Sequence, residues 1–245
     1  MLFPPGHAGA RNCKFLERVT VTAHACKDDA NWKQYAVHAP DVPLRKIAEF
    51  VKYKTELLED PPVQEMPVQS MITSPSPNDI IAAAKSGGKY IAVKGIAWGG
   101  GGSGVNRVDV SLDDGQSFTR ADMLDKPIEE RRKSQWSWVF FEKNIPIPDN
   151  LRQQLSEGKD VDLVLTSKAL NAAWNVQPEL PHYNAHGCCV NHWYRLPVTL
   201  SPTASKDVKA EDGDFGNKPS GGSFTTPFRN LDSPEELRQR EARQQ

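Results

Sequence analysis

Nineteen prolines and seventeen glycines are scattered along the 245 residues, and they set the limits of what this chain can become. Proline removes a backbone donor and clashes with the preceding helical turn, and both residues favour tight turns. Long helices are therefore disfavoured, and short strands joined by turns are favoured. A hydrophobic share of 38% and a mean hydropathy of −0.57 supply core for one or two domains of a soluble protein. The 30 basic and 31 acidic residues give no basic excess of the kind a general nucleic-acid binder carries. No apolar run nears the roughly 20 residues that cross a bilayer, and the best, at 136–141, is far shorter. No membrane or nucleic-acid partner is expected.

The opening Met1-Leu2-Phe3-Pro4-Pro5 has no basic leader and no usable apolar stretch, so it does not read as a secretory signal. The four cysteines are then expected as reduced thiols in an intracellular protein. Phe15, Val19 and Val21 suggest a short strand within 13–23. Residues 24–62 carry Pro40, Pro43, Pro61 and Pro62 and read as an irregular wrapping arm, with one helical piece through Leu44, Ile47, Phe50 and Val51. From Val63 onward, strands are expected at 66–73, 89–98, 108–112, 136–140, 161–165 and 192–200. Asp114-Gly115 marks a hairpin. About seven short strands separated by turns predict a mainly β chain built on an immunoglobulin-like sandwich. The tail after Pro202 is polar and rich in Gly, Ser and Pro, a composition of disorder. It ends in the helix-start pattern Ser233-Pro234-Glu235-Glu236.

Few residues announce chemistry. The glycine run at 99–104 lacks the Lys-Ser/Thr of a phosphate-binding loop and joins two strands, so a flexible turn is the preferred reading. His182, His186 and His192 surround Cys188 and Cys189, which invites a zinc site. Adjacent cysteines in extended chain point to opposite faces, however, and zinc wants convergent ligands. A loop with buried thiols is preferred. Trp136, Trp138 and Phe140 share one face of a strand, which predicts core or subunit interface. No Ser-His-Asp arrangement can be argued.

Several stretches nevertheless resemble, in order, the C-terminal part of eukaryotic sulfite oxidases, molybdenum enzymes that share a core with nitrate reductases. They are Gly9-Ala10-Arg11-Asn12-Cys13-Lys14-Phe15-Leu16, Met66-Pro67-Val68-Gln69-Ser70-Met71-Ile72-Thr73, Gly95-Ile96-Ala97-Trp98-Gly99-Gly100, Arg107-Val108-Asp109-Val110-Ser111-Leu112-Asp113-Asp114-Gly115, Trp136-Ser137-Trp138, Trp174-Asn175-Val176-Gln177-Pro178 and Trp193-Tyr194-Arg195.

The resemblance implies a fragment of an α+β molybdopterin-binding domain at 1–24, a connecting arm at 25–62, an immunoglobulin-like dimerisation domain at 63–202 and a disordered tail at 203–245. It implies that Asn12, Cys13 and Lys14 contact the molybdenum–molybdopterin cofactor, with Lys14 suited to its phosphate. It also places His186 where the family has an anion-binding Arg. The family's molybdenum-ligating cysteine lies upstream of everything matched here, so none of the four cysteines takes that role. The expected function is the C-terminal part of a sulfite-oxidizing enzyme, homodimeric, passing electrons to a haem protein or oxygen and inactive as this polypeptide alone. The alternatives are a non-catalytic dimerisation or interaction module, or a nitrate-reductase-like member.

Overall fold

Alternating apolar and polar residues suit a sheet only if one face is covered, and here two sheets cover each other. The structure, a computed structural model, describes residues 4–24, 34–43, 60–77, 79–82, 88–124 and 135–202, all within the unit Met1–Ala204. The strands are β1 (Gln69–Ser74), β2 (Ile80–Ala82), β3 (Tyr90–Trp98), β4 (Val105–Ser111), β5 (Thr119–Arg120), β6 (Asp122–Met123), β7 (Val139–Pro146), β8 (Val161–Asn171) and β9 (Tyr194–Ser201). One sheet runs β1-β3-β7-β6 and the other β2-β9-β8-β4-β5. Only the short β2–β9 pair is parallel among the paired strands. Ile91, Val93, Val139, Phe141 and Ile145 from the first sheet pack in one cluster with Val108, Val110, Leu163, Leu165, Leu196 and Leu200 from the second. Gly95 has no room for a side chain, because a Cβ there would strike the Phe141 ring and the Met71 carbonyl.

The strands expected from 66 onward are all present, with shifted ends. β1 starts three residues later than its apolar pattern, and β8 runs on to Asn171. A helix not expected, α1 (Asp149–Ser156), fills the β7–β8 connection behind Pro148 and buries Leu155. Eight residues are too few turns for a periodicity to stand out. The strand anticipated at 13–23 does not form: Phe15 and Val21 are each 94% exposed and no residue of this stretch lies in a strand. Alternation alone cannot make a strand, and among the described residues no strand pairs with this stretch. The helix expected at 44–51 and the tail beyond 202 lie outside the described residues. No described helix is long and apolar enough to cross a membrane.

The two layers are pinned by one buried amide. Gln177 is 1% exposed. Its Oε1 accepts from Ser70 Oγ of β1 and from the Ala169 N–H of β8, both at 2.8 Å. Its Nε2 donates to the carbonyls of Asn191 at 3.1 Å and His192 at 2.9 Å. Both lone pairs and both hydrogens of the amide are thus used. Because Ser70 spends its hydrogen on Gln177, Ser167 must be the donor in the 3.0 Å contact between the two hydroxyls.

Replacing Gln177 by Ala strands two donors and two carbonyls in the interior. Each unmet buried group costs about 1–3 kcal/mol, so Gln177→Ala is expected to lower unfolding stability by about 4 kcal/mol in urea titrations. Asn144→Ala, on the open face of β7, should stay within about 0.5 kcal/mol. Similar midpoints for the two variants would refute the amide's role.

Candidate functional site

Three stretches remote in sequence meet on a short extended strip, 60–66. Val37 N donates to Pro61 O at 3.1 Å and Val63 N to Tyr35 O at 2.8 Å, so 35–37 runs antiparallel along one half of the strip. Ala8 N donates to Gln64 O at 2.8 Å and Met66 N to Gly6 O at 3.1 Å, so 6–8 runs along the other half. The loop before β9 closes over both. His186 Nδ1 lies 3.4 Å from Ala36 O, and Cys189 Sγ lies 3.9 Å from Glu65 O. Asn184 braces this loop, its Nδ2 donating to Cys188 O at 2.8 Å and its Oδ1 accepting from Cys188 N at 2.9 Å.

The residues expected to touch a cofactor stand just past this junction. A single 3-10 turn, Gly9–Arg11, ends where Asn12 N donates to Gly9 O at 3.0 Å. Asn12, Cys13 and Lys14 are all exposed, and Phe15 follows with a φ of 52° that throws its ring outward. No ion pair engages Lys14 among the described residues. Among the described contacts none joins His186 to Asn12, Cys13 or Lys14, so the expected site residues do not form one cluster.

Sequence reasoning missed three residues here: Arg11, His38 and Asp60. Arg11 holds its guanidinium carbon 5.9 Å from the Tyr35 ring centroid. His38 is 2% exposed, and its Nδ1 is 3.1 Å from Asp60 Oδ2. The His38 and His186 rings stand 5.0 Å apart, tilted by 54°. Arg11 was quoted within a motif, but nothing in an irregular, proline-broken arm could have flagged His38 or Asp60.

The cysteine pair also departs from expectation. Cys189 has a φ of 57°, so the chain is not extended there and the argument from opposite faces does not apply. Burial pushes the Cys188 thiol up, and burial together with the neighbouring Cys188 pushes Cys189 up. Burial, then the Arg195 charge, lowers His192. Among the described residues no three His, Cys, Asp or Glu side chains are grouped to hold a metal ion.

The glycine run is a packing surface. Gly100, Gly101 and Gly102 all have positive φ. A Cβ on Gly102 would meet the Trp136 ring, and one on Gly100 would strike Met66 O. Trp136 and Trp138 precede β7 and are 56% and 58% exposed, so the aromatic face is not core.

Comparison with known proteins bears on all of this. Residues 60–201 match the family model of the Mo-co oxidoreductase dimerisation domain. The mitochondrial sulfite oxidase of Homo sapiens is 31% identical over 200 residues, which cover 81% of this chain and 32% of that protein. Sulfite oxidase of Gallus gallus is 34% identical over 195 residues, 78% of this chain and 37% of that one. The NADPH nitrate reductase of Phytophthora infestans is 27% identical over 202 residues, 80% of this chain and 21% of its own length. The chain thus spans about a third of the sulfite oxidases it matches. The sulfane dehydrogenase SoxCD of Paracoccus pantotrophus superposes with a TM-score of 0.53 at 21% identity, over 79% of this chain and 42% of that one, a likeness of fold.

The raised thiols give a test of the loop's burial. Iodoacetamide near neutral pH should label exposed Cys13 well before Cys188 and Cys189, and the gap should narrow above about pH 9, because the thiolate is the nucleophile. Equal labelling rates for all three near neutral pH would contradict the buried placement.

Proposed function

The chain belongs to the Mo-co oxidoreductase dimerisation domain family, and from that premise we propose that it is the C-terminal part of a molybdenum-dependent enzyme that oxidizes sulfite to sulfate. The observation that carries this reading is the extent of the match. Two hundred residues align with sulfite oxidase, more than the domain at 60–201 alone. The likeness therefore reaches beyond the sandwich toward the segment where Asn12, Cys13 and Lys14 stand. Identity to the nitrate reductase, 27%, is lower than the 31–34% found with the sulfite oxidases.

The residues present suit an anionic cofactor. Lys14 offers a free ammonium on an exposed turn, and Arg11 keeps two buried guanidinium nitrogens without acceptors. A pterin phosphate is the kind of partner such donors ask for. When bound, the molybdenum group supplies the oxygen-atom transfer and the redox capacity. The chain's own part is to hold and neutralise: Lys14 pairs with phosphate, and the bare apolar side chains Phe15, Val19 and Val21 pack against the protein that carries the rest of the cofactor site. Electrons leave to a haem protein or oxygen.

The sandwich supplies a self-association face. Met71, Ile96 and Phe140 lie side by side across β1, β3 and β7 by register, all pointing away from the core, and Phe140 is 52% exposed. Trp138 extends the row at one end. The Lys94–Glu142 pair, 3.8 Å apart, borders it at the other. An apolar stripe rimmed by opposite charges suits a second copy related by a two-fold axis.

Residues 1–245 expressed alone should form dimers in sedimentation velocity, bind no stoichiometric molybdenum and reduce no acceptor with sulfite. Stoichiometric metal with turnover would sink the view that the family's metal ligand lies outside this polypeptide. Phe140→Asp should yield monomers of unchanged far-UV circular dichroism. A persistent dimer would move the interface elsewhere.

A further inference from the structure

Cys188 and Cys189 are chain neighbours, and both are half-buried thiols to which the sulfite chemistry gives no use. A buried cysteine ordinarily needs none, since it packs as a small apolar side chain. Two features set this pair apart. Gly187 and Cys189 have φ of 65° and 57°, a left-handed conformation that suits glycine and strains a cysteine. The chain therefore turns at the pair, and the extended geometry that sends adjacent side chains to opposite faces is absent. The two sulfurs also sense each other: the charge of a Cys188 thiolate adds to burial in pushing the Cys189 thiol up.

The surroundings grip the backbone of the pair and leave its sulfurs little engaged. Asn184 Oδ1 accepts from Cys188 N at 2.9 Å, and Asn184 Nδ2 donates to Cys188 O at 2.8 Å. Gly187 N donates to Asn184 O at 2.9 Å, which closes the turn. Cys189 Sγ meets Glu65 O at 3.9 Å, a long contact from a weak donor. Among the described residues no three His, Cys, Asp or Glu side chains are grouped to hold a metal ion. The chemistry open to the pair is that of sulfur with sulfur.

We propose that Cys188 and Cys189 are a redox modification site, a dithiol that hydrogen peroxide converts into a disulfide between adjacent residues. The thiolate of one cysteine attacks a peroxide oxygen and the O–O bond breaks, giving a sulfenic acid and hydroxide. The hydroxide takes the proton that the thiol released and leaves as water. The second sulfur then attacks the sulfenic sulfur, the S–OH bond breaks, and its own proton leaves with the hydroxyl as a second water. Two thiols lose two electrons in all, and one peroxide gains them. Repulsion between the thiolates suits this order, because ionising one keeps the proton on the other.

Adjacent Cα atoms lie about 3.8 Å apart, below the roughly 4.4–6.8 Å that an unstrained disulfide spans. The bond is accordingly strained and easily reduced, a reversible mark and not a structural staple. The ring it closes contains the peptide between the two cysteines, whose carbonyl Asn184 holds. Closure displaces that carbonyl and draws Cys189 Sγ from Glu65 O, which loosens the loop that meets Ala36 O through His186. The proposal is independent of the sulfite reading, and neither falls with the other.

The test starts from residues 1–245, reduced and freed of reductant, then treated with hydrogen peroxide near neutral pH. Alkylation with N-ethylmaleimide after unfolding and peptide mapping follow. The peptide spanning 188–189 should be lighter by two hydrogens and carry no alkyl group, and dithiothreitol should reverse this fully. Cys188→Ser and Cys189→Ser should each lose the bond and leave a sulfenic acid that dimedone traps. The His186 imidazole resonances should shift on oxidation of the unmutated chain and stay in place in Cys188→Ser. A second readout needs no variant: phenylarsine oxide should bridge both thiols of the reduced chain, and dimercaptopropanol, but not a monothiol, should release it. The proposal is overturned if both thiols remain alkylatable after a peroxide dose that oxidises exposed Cys13, or if phenylarsine oxide fails to bridge them. It is equally overturned if either sulfur pairs with Cys13 or Cys26 or stops at a sulfinic acid. Unmoved His186 resonances would overturn the loosening of the loop.

Discussion

The sandwich turns on the side-chain amide of Gln177, which reaches β1, β8 and the approach to β9 at once. Its main chain adds to the same junction: Gln177 N donates to Ala169 O at 3.2 Å, and the Trp193 indole donates to Gln177 O at 2.9 Å. A hydrogen bond in a dry interior is worth making mainly because leaving it unmade is costly. The amide therefore acts as a specificity device: another placement of β1 over β8, or another path for the chain between 178 and 193, would strand at least one of its four partners. Asn171 repeats the arrangement at the end of β8. Its Nδ2 donates to Gly99 O at 3.0 Å, and its Oδ1 receives the N–H groups of Ala173 and Asn175. Asn191 ties the approach to β9 back to Val68 O at 3.1 Å.

These buried amides carry a consequence for the candidate site. The loop with His186 and Cys188 leaves from Gln177 and returns at Asn191, both fixed in the sandwich, and Asn184 stiffens its middle. His186 is thus presented from a rigid base to the 35–38 stretch. The 60–66 strip is held in turn by hydrogen bonds from the chain segments on either side of it. A site assembled from such braced pieces keeps its donors in place before a ligand arrives, which limits the ordering cost of binding.

Much of this fold is legible in the sequence because a strand needs only period-two alternation and turn residues at its ends. Val108, Val110 and the Asp114-Gly115 turn are readable from local sequence, and the structure forms β4 and the turn there. Phe15, Val19 and Val21 alternate well enough, yet among the described residues no strand pairs with them, and they remain open to solvent. Local pattern cannot report the presence of a partner. Trp136 and Trp138 read as part of a strand, but β7 begins only at Val139, where pairing with Ala97 starts. The site is less legible still. His186 and the Ala36 carbonyl it meets are 150 positions apart, and the role of His38 depends on Asp60 across a proline-broken arm. Pairing over such distances is a property of packing, with no trace in composition or spacing.

One glycine connects the outer face of the sandwich to the segment that bears Arg11. Gly6 adopts a φ of 75°, and a Cβ on it would lie 2.9 Å from both Gly102 N and the Trp136 ring. The Trp136 ring in turn lies over Gly102, and Gly101 N donates to Gly6 O at 3.3 Å. Only backbone free of side chains lets these strands of chain approach so closely. Gly6 O in turn accepts from Met66 N, at the end of the same strip that receives Ala8 and, beyond it, Arg11. The aromatic edge of the proposed self-association face and the anchoring of the guanidinium thus share one tightly packed junction.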